Sequence, residues 1–547
     1  MANTDEGPPP VASLIHGVES EAGRARDVMR ACEGTQAPHV LSSWLLAILA
    51  VLPYLLVYVF HLLRQGPGLV ATGFVHIYMP YYVANGRAVF ERGNGFFGPN
   101  PFDPAPGAPA IYVHWFTWML GFCVHVLGAS PGALFAWIGV VAAVLFSRAT
   151  LALVDRCGGR GPNRGVVFLM SMWGGGLATL ATFLAGVNGY ARDRLSFPLH
   201  EFEAGSGWWF VYWGRNACFA TESIYHILMI GAWLGAIRRR WHACFFCVFL
   251  LTTTHPFTGV QCLATFLTWL ILGRFVPVAG RVPTWFALAV LANTVAFLGY
   301  YFVYLPRYPE HRALQAVWAI PWVERPVETL VAYLPVALLS LYRLRSDGWR
   351  PDRTVLFLLT SGAISFGLAH HDWFVPPHQP MHFSRGYVWM PLYIVGIPAL
   401  RDVLLWLGRL PARRLLVVLT FSAVMCLDNI AWLSRIGAGV GERGVYLSPG
   451  TFDVYRELSR RETRGILLCR EQDVSYLAAV YTPARPYFGH HWNTPLFEER
   501  EQQVEDWYSS GREYDWLSRI DLVLERTDRP KPIGLDENWV NTYQNNE

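Results

Sequence analysis

The sequence predicts a polytopic α-helical membrane protein with a small soluble α/β domain at its C-terminal end. Three observations predict it. Of 547 residues, 53% are hydrophobic and only 15% charged, with 23 Trp, 25 Tyr and 33 Phe, a composition far from that of a soluble domain. Apolar runs close to the roughly 20 residues that cross a bilayer as helix recur along the chain. From Thr451 onward the pattern changes, and charges return every few residues.

Residues 1–40 mix Pro, Gly, Glu and Arg without periodicity and lack the apolar core and cleavage site of a secretory signal, so they are expected to form a cytoplasmic tail. Candidate spans follow near 41–63, 131–154, 165–187, 216–237, 242–256, 257–274, 283–305, 327–344, 354–371, 386–408 and 414–433, about eleven by length and apolarity. The pair flanking "THPFTG" is short, and half-helices meeting at a broken turn are the alternative there. Segments 155–164, 238–242, 274–281, 343–353 and 401–414 hold sixteen Arg, against seven in 188–215, 306–326 and 370–386. The positive-inside rule therefore places the first set in the cytoplasm. The N-terminus is then inside, the first outer loop spans 64–130, and the C-terminus is outside. Within that loop Ile111 to Gly128 reads as an interfacial helix, because counting it as a span would put most arginines outside.

The membrane domain is thus 41–433 and the extracytoplasmic domain 434–547. In the latter, helices over Phe452–Glu462, 473–481 and 495–510 alternate with strands in "GILLC", "RPYFG" and "IDLVLER", an α/β pattern. The net charge of +4 comes almost wholly from arginine, Lys531 being the only lysine, and carries no nucleic-acid reading. The nine Cys are scattered, and Cys244 and Cys247 sit in an apolar run as small core residues.

With this orientation the polar clusters at membrane depth gather on the outer side, where ionisable groups are functional candidates. The first loop carries His76, Glu91, Asp103 and His114. Arg192, Asp193 and Arg194 follow, then His255 in "THPFTG", Arg307 and His311, and finally His370, His371, Asp372, His378, His382 and Arg385 in "HHDWFVPPHQPMHFSRG". Adjacent His370 and His371 point apart on a helix, so capping fits them better than zinc. Asp103 in "NPFDPAP" suits a turn, Arg192 a solvated turn, and His255 a helix end. Arg385 is the sharpest case: it precedes a helix whose N-terminus favours an anion and supplies a guanidinium fork for phosphate. Trp115, Trp118, Trp208, Trp209, Trp213 and Trp373 fall near the same interface as belt anchors.

This layout resembles the GT-C superfamily of integral membrane glycosyltransferases. "ANGRAVFERGNGFFGPNPFDPAPGAPAIYVHWFTWMLG" resembles the first outer loop of its bacterial members, "THPFTG" and "HFSRGYVWMPL" resemble later outer-edge motifs, and "YFGHHWNTPLFEER" resembles a turn of their C-terminal domain. The resemblance implies transfer of a sugar from a polyprenyl-phosphate donor to an acceptor at the outer face of the bacterial inner membrane, with inversion. It implies a loop carboxylate as base, here Asp103 or Glu91, and donor contacts from Arg385 and His382, with His255, Arg192, His76 and His114 as further substrate contacts. A divalent cation is left open as cofactor, no metal ligands are assigned, and the acceptor is not identified. The chain departs from the pattern in one place, carrying His76 where an acid is expected soon after the first span. A transporter or lipid flippase, or a non-catalytic relative, is the alternative.

Overall fold

A computed structural model describes residues 40–66, 68–161, 163–180, 212–320, 322–323, 326–407, 414–438, 444–512 and 514–524. The N-terminal tail up to residue 39, Arg192, Asp193, Arg194, Trp208 and Trp209 lie outside the described residues.

The chain enters with α1 (Val40–Leu63), β1 (Val70–Ala71), α2 (Pro80–Glu91) and α3 (Trp115–Gly121). Then come α4 (Pro131–Val154), α5 (Arg164–Trp173), α6 (Ala220–Ile237), α7 (Trp241–Thr252) and α8 (Pro256–Phe275). They are followed by α9 (Thr284–Leu298), α10 (Pro309–Trp318), α11 (Pro326–Ser346), α12 (Arg353–Ala369), α13 (Trp389–Leu407) and α14 (Arg414–Ala438). A helix thus lies in each of the eleven apolar runs, but among the described residues six are long and apolar enough to cross a membrane: Ser42–Leu63, Pro131–Gly159, Ala220–Ile237, Pro256–Phe275, Thr284–Arg307 and Trp389–Leu407. Two of the other five runs break for local reasons. α5 ends at Trp173, well before residue 187, because Gly174, Gly175 and Gly176 follow and glycine forfeits helical stability. α7 stops at three threonines, after which Pro256 starts α8 at the position where its missing N–H costs nothing. The helix from Trp115 runs only to Val126, too short to span.

Polar side chains reach across the bundle to main-chain carbonyls, the usual glue between apolar helices. Tyr54 Oη donates to Met172 O at 2.6 Å, Ser147 Oγ to Ala47 O at 2.7 Å and Tyr393 Oη to Val167 O at 2.5 Å, joining α1, α4, α5 and α13. At one end Arg353 ties α12 to the end of α6, donating to Ala236 O at 3.1 Å and to Ala279 O at 3.0 Å. The opposite ends of α6 and α8 meet the segment before α13, and there the candidate site lies.

Beyond the bundle, β2 (Tyr446–Leu447) pairs antiparallel with β1. The chain continues through α15 (Pro449–Arg460), β3 (Ile466–Cys469), α16 (Gln472–Tyr481), β4 (Arg485–Pro486), α17 (Phe497–Ser510) and β5 (Leu522–Leu524). Strands β4, β3 and β5 form a parallel sheet in that order, and all four residues of β3 are buried, as expected of a strand covered on both faces. The first loop packs against this unit: Arg87 donates to Val480 O at 3.0 Å, Asn100 to Asn493 O at 2.7 Å, Tyr476 Oη to Ile77 O at 2.8 Å and Arg485 to Pro104 O at 2.8 Å.

Candidate functional site

Three N-terminal helix ends converge on Arg385. Glu222 is in the first turn of α6, His255 is the N-cap of α8, and Arg385 lies four residues before α13. Arg385 holds the left-handed backbone region, with φ +33, and Gly386 follows at φ +73. A Cβ on Gly386 would stand 2.8 Å from Trp213 Cα, so only glycine lets this corner close. His226 pins the corner from beneath, with Nδ1 2.7 Å from Glu222 O and Nε2 2.8 Å from Arg385 O.

The Arg385 guanidinium is buried and forms an ion pair with Glu222, the two side chains being 2% and 6% exposed. Its Nε donates to His382 O at 2.9 Å and its Nη2 to His382 Nδ1 at 2.5 Å. Burial pushes the Arg385 pKa down to about 10 and the His382 pKa to about 3, so at neutral pH the arginine is charged and the imidazole neutral. A neutral His382 accepting at Nδ1 carries its proton on Nε2. His382 is held between the stacked ring of Phe257 at 4.6 Å and the edge of Trp322 at 5.2 Å.

His255 is fixed by the same logic. Its Nδ1 accepts from Thr258 N at 3.2 Å as a helix cap, and burial, with His382 nearby, lowers its pKa well below the ordinary value. Its Nδ1 also faces Thr258 Oγ1 at 3.0 Å, and its Nε2 lies 3.4 Å from Arg385 Nη2. The guanidinium, with His255 and His382 against it, forms a cationic corner suited to an acceptor oxygen of an anion. Tyr225 supports both, stacked on His255 at 4.6 Å and 5.9 Å from Arg385 Cζ.

Glu222, absent from the sequence-derived candidates, supplies the carboxylate of this cluster. Its Oε1 faces Arg385, while its buried Oε2 has no hydrogen-bond partner among the described residues. Asp428, equally buried, shows what a structural carboxylate looks like here: it accepts from Thr179 N at 2.7 Å, Ala178 N at 3.3 Å and Tyr212 Oη at 2.5 Å. An orphaned buried oxygen is costly and calls for an explanation. The available signal was an acid within an apolar run, "FATESIYHILMI".

The other expected residues fall at various distances from Arg385. His114 caps α3, accepting from Thr117 N at 3.2 Å, and its ring is 6.1 Å from Tyr82, whose hydroxyl acts electrostatically on Arg385. Burial takes the His114 pKa to about 4. His76 accepts from Tyr78 N at 3.1 Å and meets Phe219, the residue preceding α6, edge-on at 5.3 Å. Asp103 is buried, its Oδ1 accepting from Ala105 N at 3.0 Å in a turn; burial raises its pKa, with Arg500 and Arg92 acting against that. Its neighbour Phe102 stacks on Tyr81 at 6.2 Å, placing Asp103 behind that ring, toward the C-terminal unit. Glu91 accepts from Arg87 Nε at 3.0 Å and Nη2 at 2.5 Å, with His125 3.7 Å away.

Among the described residues no group of three or more His, Cys, Asp or Glu is arranged to hold a metal. The Arg385 cluster, one carboxylate already matched by a guanidinium, fits an anion better than a divalent cation.

No family model and no curated protein matches the chain. Solved structures similar to it include the oligosaccharyltransferase AglB of Archaeoglobus fulgidus in complex with an inhibitory peptide and a dolichol-phosphate, at TM-score 0.42 and 12% identity, covering 85% of this chain and 68% of that one. The Archaeoglobus fulgidus oligosaccharyltransferase tethered to an acceptor peptide matches at TM-score 0.42 and 13% identity, covering 86% and 68%. A complex of the same enzyme with Zn and sulfate matches at TM-score 0.31 and 12% identity, over 81% and 62%. A likeness at this level does not assign an activity.

Proposed function

We propose that the chain is an integral membrane glycosyltransferase of the GT-C type, taking a sugar from a polyprenyl-phosphate donor and passing it to an acceptor hydroxyl at the outer face. The observation that carries this reading is the buried Arg385 guanidinium, with His255 Nε2 3.4 Å from its Nη2, beside a carboxylate oxygen without a partner among the described residues. The guanidinium suits the phosphate oxygens, and three helix N-termini add to the positive potential there. Glu222 Oε2 takes the proton of the acceptor hydroxyl as the acceptor oxygen bonds to the anomeric carbon. The bond from that carbon to the phosphate oxygen breaks, and its electron pair leaves with the polyprenyl phosphate, held by Arg385, His255 and His382.

Asp103 is a second candidate base, favoured by its burial and raised pKa, which make it the better proton acceptor once ionised. The transporter reading has less support, since the Arg385 cluster sits at helix ends and not at mid-span. Transfer by purified protein decides between the acids. Glu222→Gln is expected to lose roughly 10²–10⁴-fold in turnover, the usual worth of a general base, with Asp103→Asn losing less. The reverse order would move the base to the first loop, and full activity in both would refute acid–base catalysis by either.

A further inference from the structure

A second polar site lies away from Arg385, in the seam between the first loop and the C-terminal unit. A cavity of about 330 Å³ opens there, lined by Arg92, Arg464, Arg485 and Glu91 and walled by Pro99, Pro106 and neighbouring small residues. Its size is at the lower end of small-molecule sites.

Three guanidiniums and one carboxylate line it. Glu91 accepts from both Nε and Nη2 of Arg87 at one oxygen, Oε1. Arg92 spends one hydrogen bond on Pro101 O at 3.3 Å, and Arg485 one on Pro104 O at 2.8 Å. Among the described residues Arg464 has a distant partner, Glu462 at 3.8 Å. Burial, then Arg485, pushes the Arg92 pKa down to about 10, with Glu91 and Asp103 acting against that. Two nearby acids accept from the main chain, Asp103 Oδ1 from Ala105 N at 3.0 Å and Asp521 Oδ2 from Ile466 N at 2.7 Å. Folding thus brings together like charges from two parts of the chain around an open space, an expense that a bound dianion would offset.

The geometry points to a binding site for a phosphomonoester in this seam, formed by Arg92, Arg464 and Arg485 and distinct from the Arg385 cluster. Paired guanidiniums present parallel N–H donors that match phosphate oxygens, and proline-rich walls reduce the ordering cost of binding. The phosphate can belong to a soluble sugar phosphate or to a lipid headgroup.

The test uses the full chain in neutral detergent titrated calorimetrically with glucose 6-phosphate, and in nanodiscs with and without phosphatidic acid. Saturable binding of glucose 6-phosphate assigns a soluble ligand; a response confined to phosphatidic acid assigns a headgroup. In either case Arg92→Gln and Arg485→Gln should weaken binding by more than about tenfold, the worth of one charge-assisted hydrogen bond, while Arg385→Gln leaves it intact. Arg464→Gln, altering an exposed side chain with no main-chain bond to lose, should also weaken it and does not threaten folding. No response to either ligand, or binding unchanged in Arg464→Gln and Arg485→Gln, overturns the proposal.

Discussion

Exchanging both partners of the Glu222–Arg385 pair for glutamine, singly and together, tests whether the two act as one unit. Side-chain exposures of 6% and 2% place both charges out of water. Removing one partner leaves the other buried and uncompensated, which costs about 3–5 kcal/mol. Were the residues independent, the double variant would lose the sum, about 6–10 kcal/mol, comparable to the entire stability of a typical domain. Because the double variant buries no charge at all, it is expected to lose far less than that sum. A coupling energy at the upper end of the usual range for contacting residues, about 3 kcal/mol, should then appear. Thermal unfolding of the four proteins in one detergent, followed by tryptophan fluorescence, measures it. Additive losses would refute the pairing. The same double variant separates fold from function: it should be folded and devoid of transfer.

Other outcomes follow from the same geometry. His382→Phe keeps the stack on Phe257 but removes the acceptor for Arg385, and should weaken donor binding by about 1.5–3 kcal/mol, read as a raised KM. Gly386→Ala, at φ +73 and against Trp213 Cα, should destabilise by more than about 1 kcal/mol and be visible as a lowered Tm. Asp352→Ala removes the cap that accepts from Val355 N at 2.9 Å; it should cost about 1 kcal/mol without altering transfer. Burial lowers the pKa values of His382 and His490 to about 3 and of His114 and His311 to about 4, from the ordinary 6.5. Below 6.5 the unfolded chain binds protons that the folded chain does not. The stabilisation from these histidines is therefore full above pH 6.5 and is lost as pH falls toward 4; a Tm independent of pH between 7 and 5 would contradict this.

Much of the bundle was legible because apolar runs and their breakers act locally. The apolar runs at 257–274 and 354–371 anticipate α8 and α12, and the alternation after Thr451 anticipates β3, α16 and α17 closely. Arg385, His382 and His255 stood out as charge or imidazole at helix ends. Glu222 did not, because its role depends on a partner 163 positions away; only its presence in an apolar run hinted at it. The placement of Asp103 and Glu91 was likewise hidden. It follows from how the first loop packs on the C-terminal unit, through Asn100 on Asn493 O and Arg485 on Pro104 O, contacts that no local pattern encodes. The length of α5 was misjudged because apolarity was weighed above the three glycines that end it.

The most direct test of the central claim is to incubate purified protein with a radiolabelled polyprenyl-phosphate sugar and a panel of hydroxyl acceptors, and to follow sugar and lipid phosphate together. The account predicts equimolar release of polyprenyl phosphate and glycosylated product by the wild-type chain, with both lost in Arg385→Gln and Glu222→Gln. Movement of intact lipid-linked sugar across the bilayer without cleavage, or undiminished transfer in both variants, would contradict it.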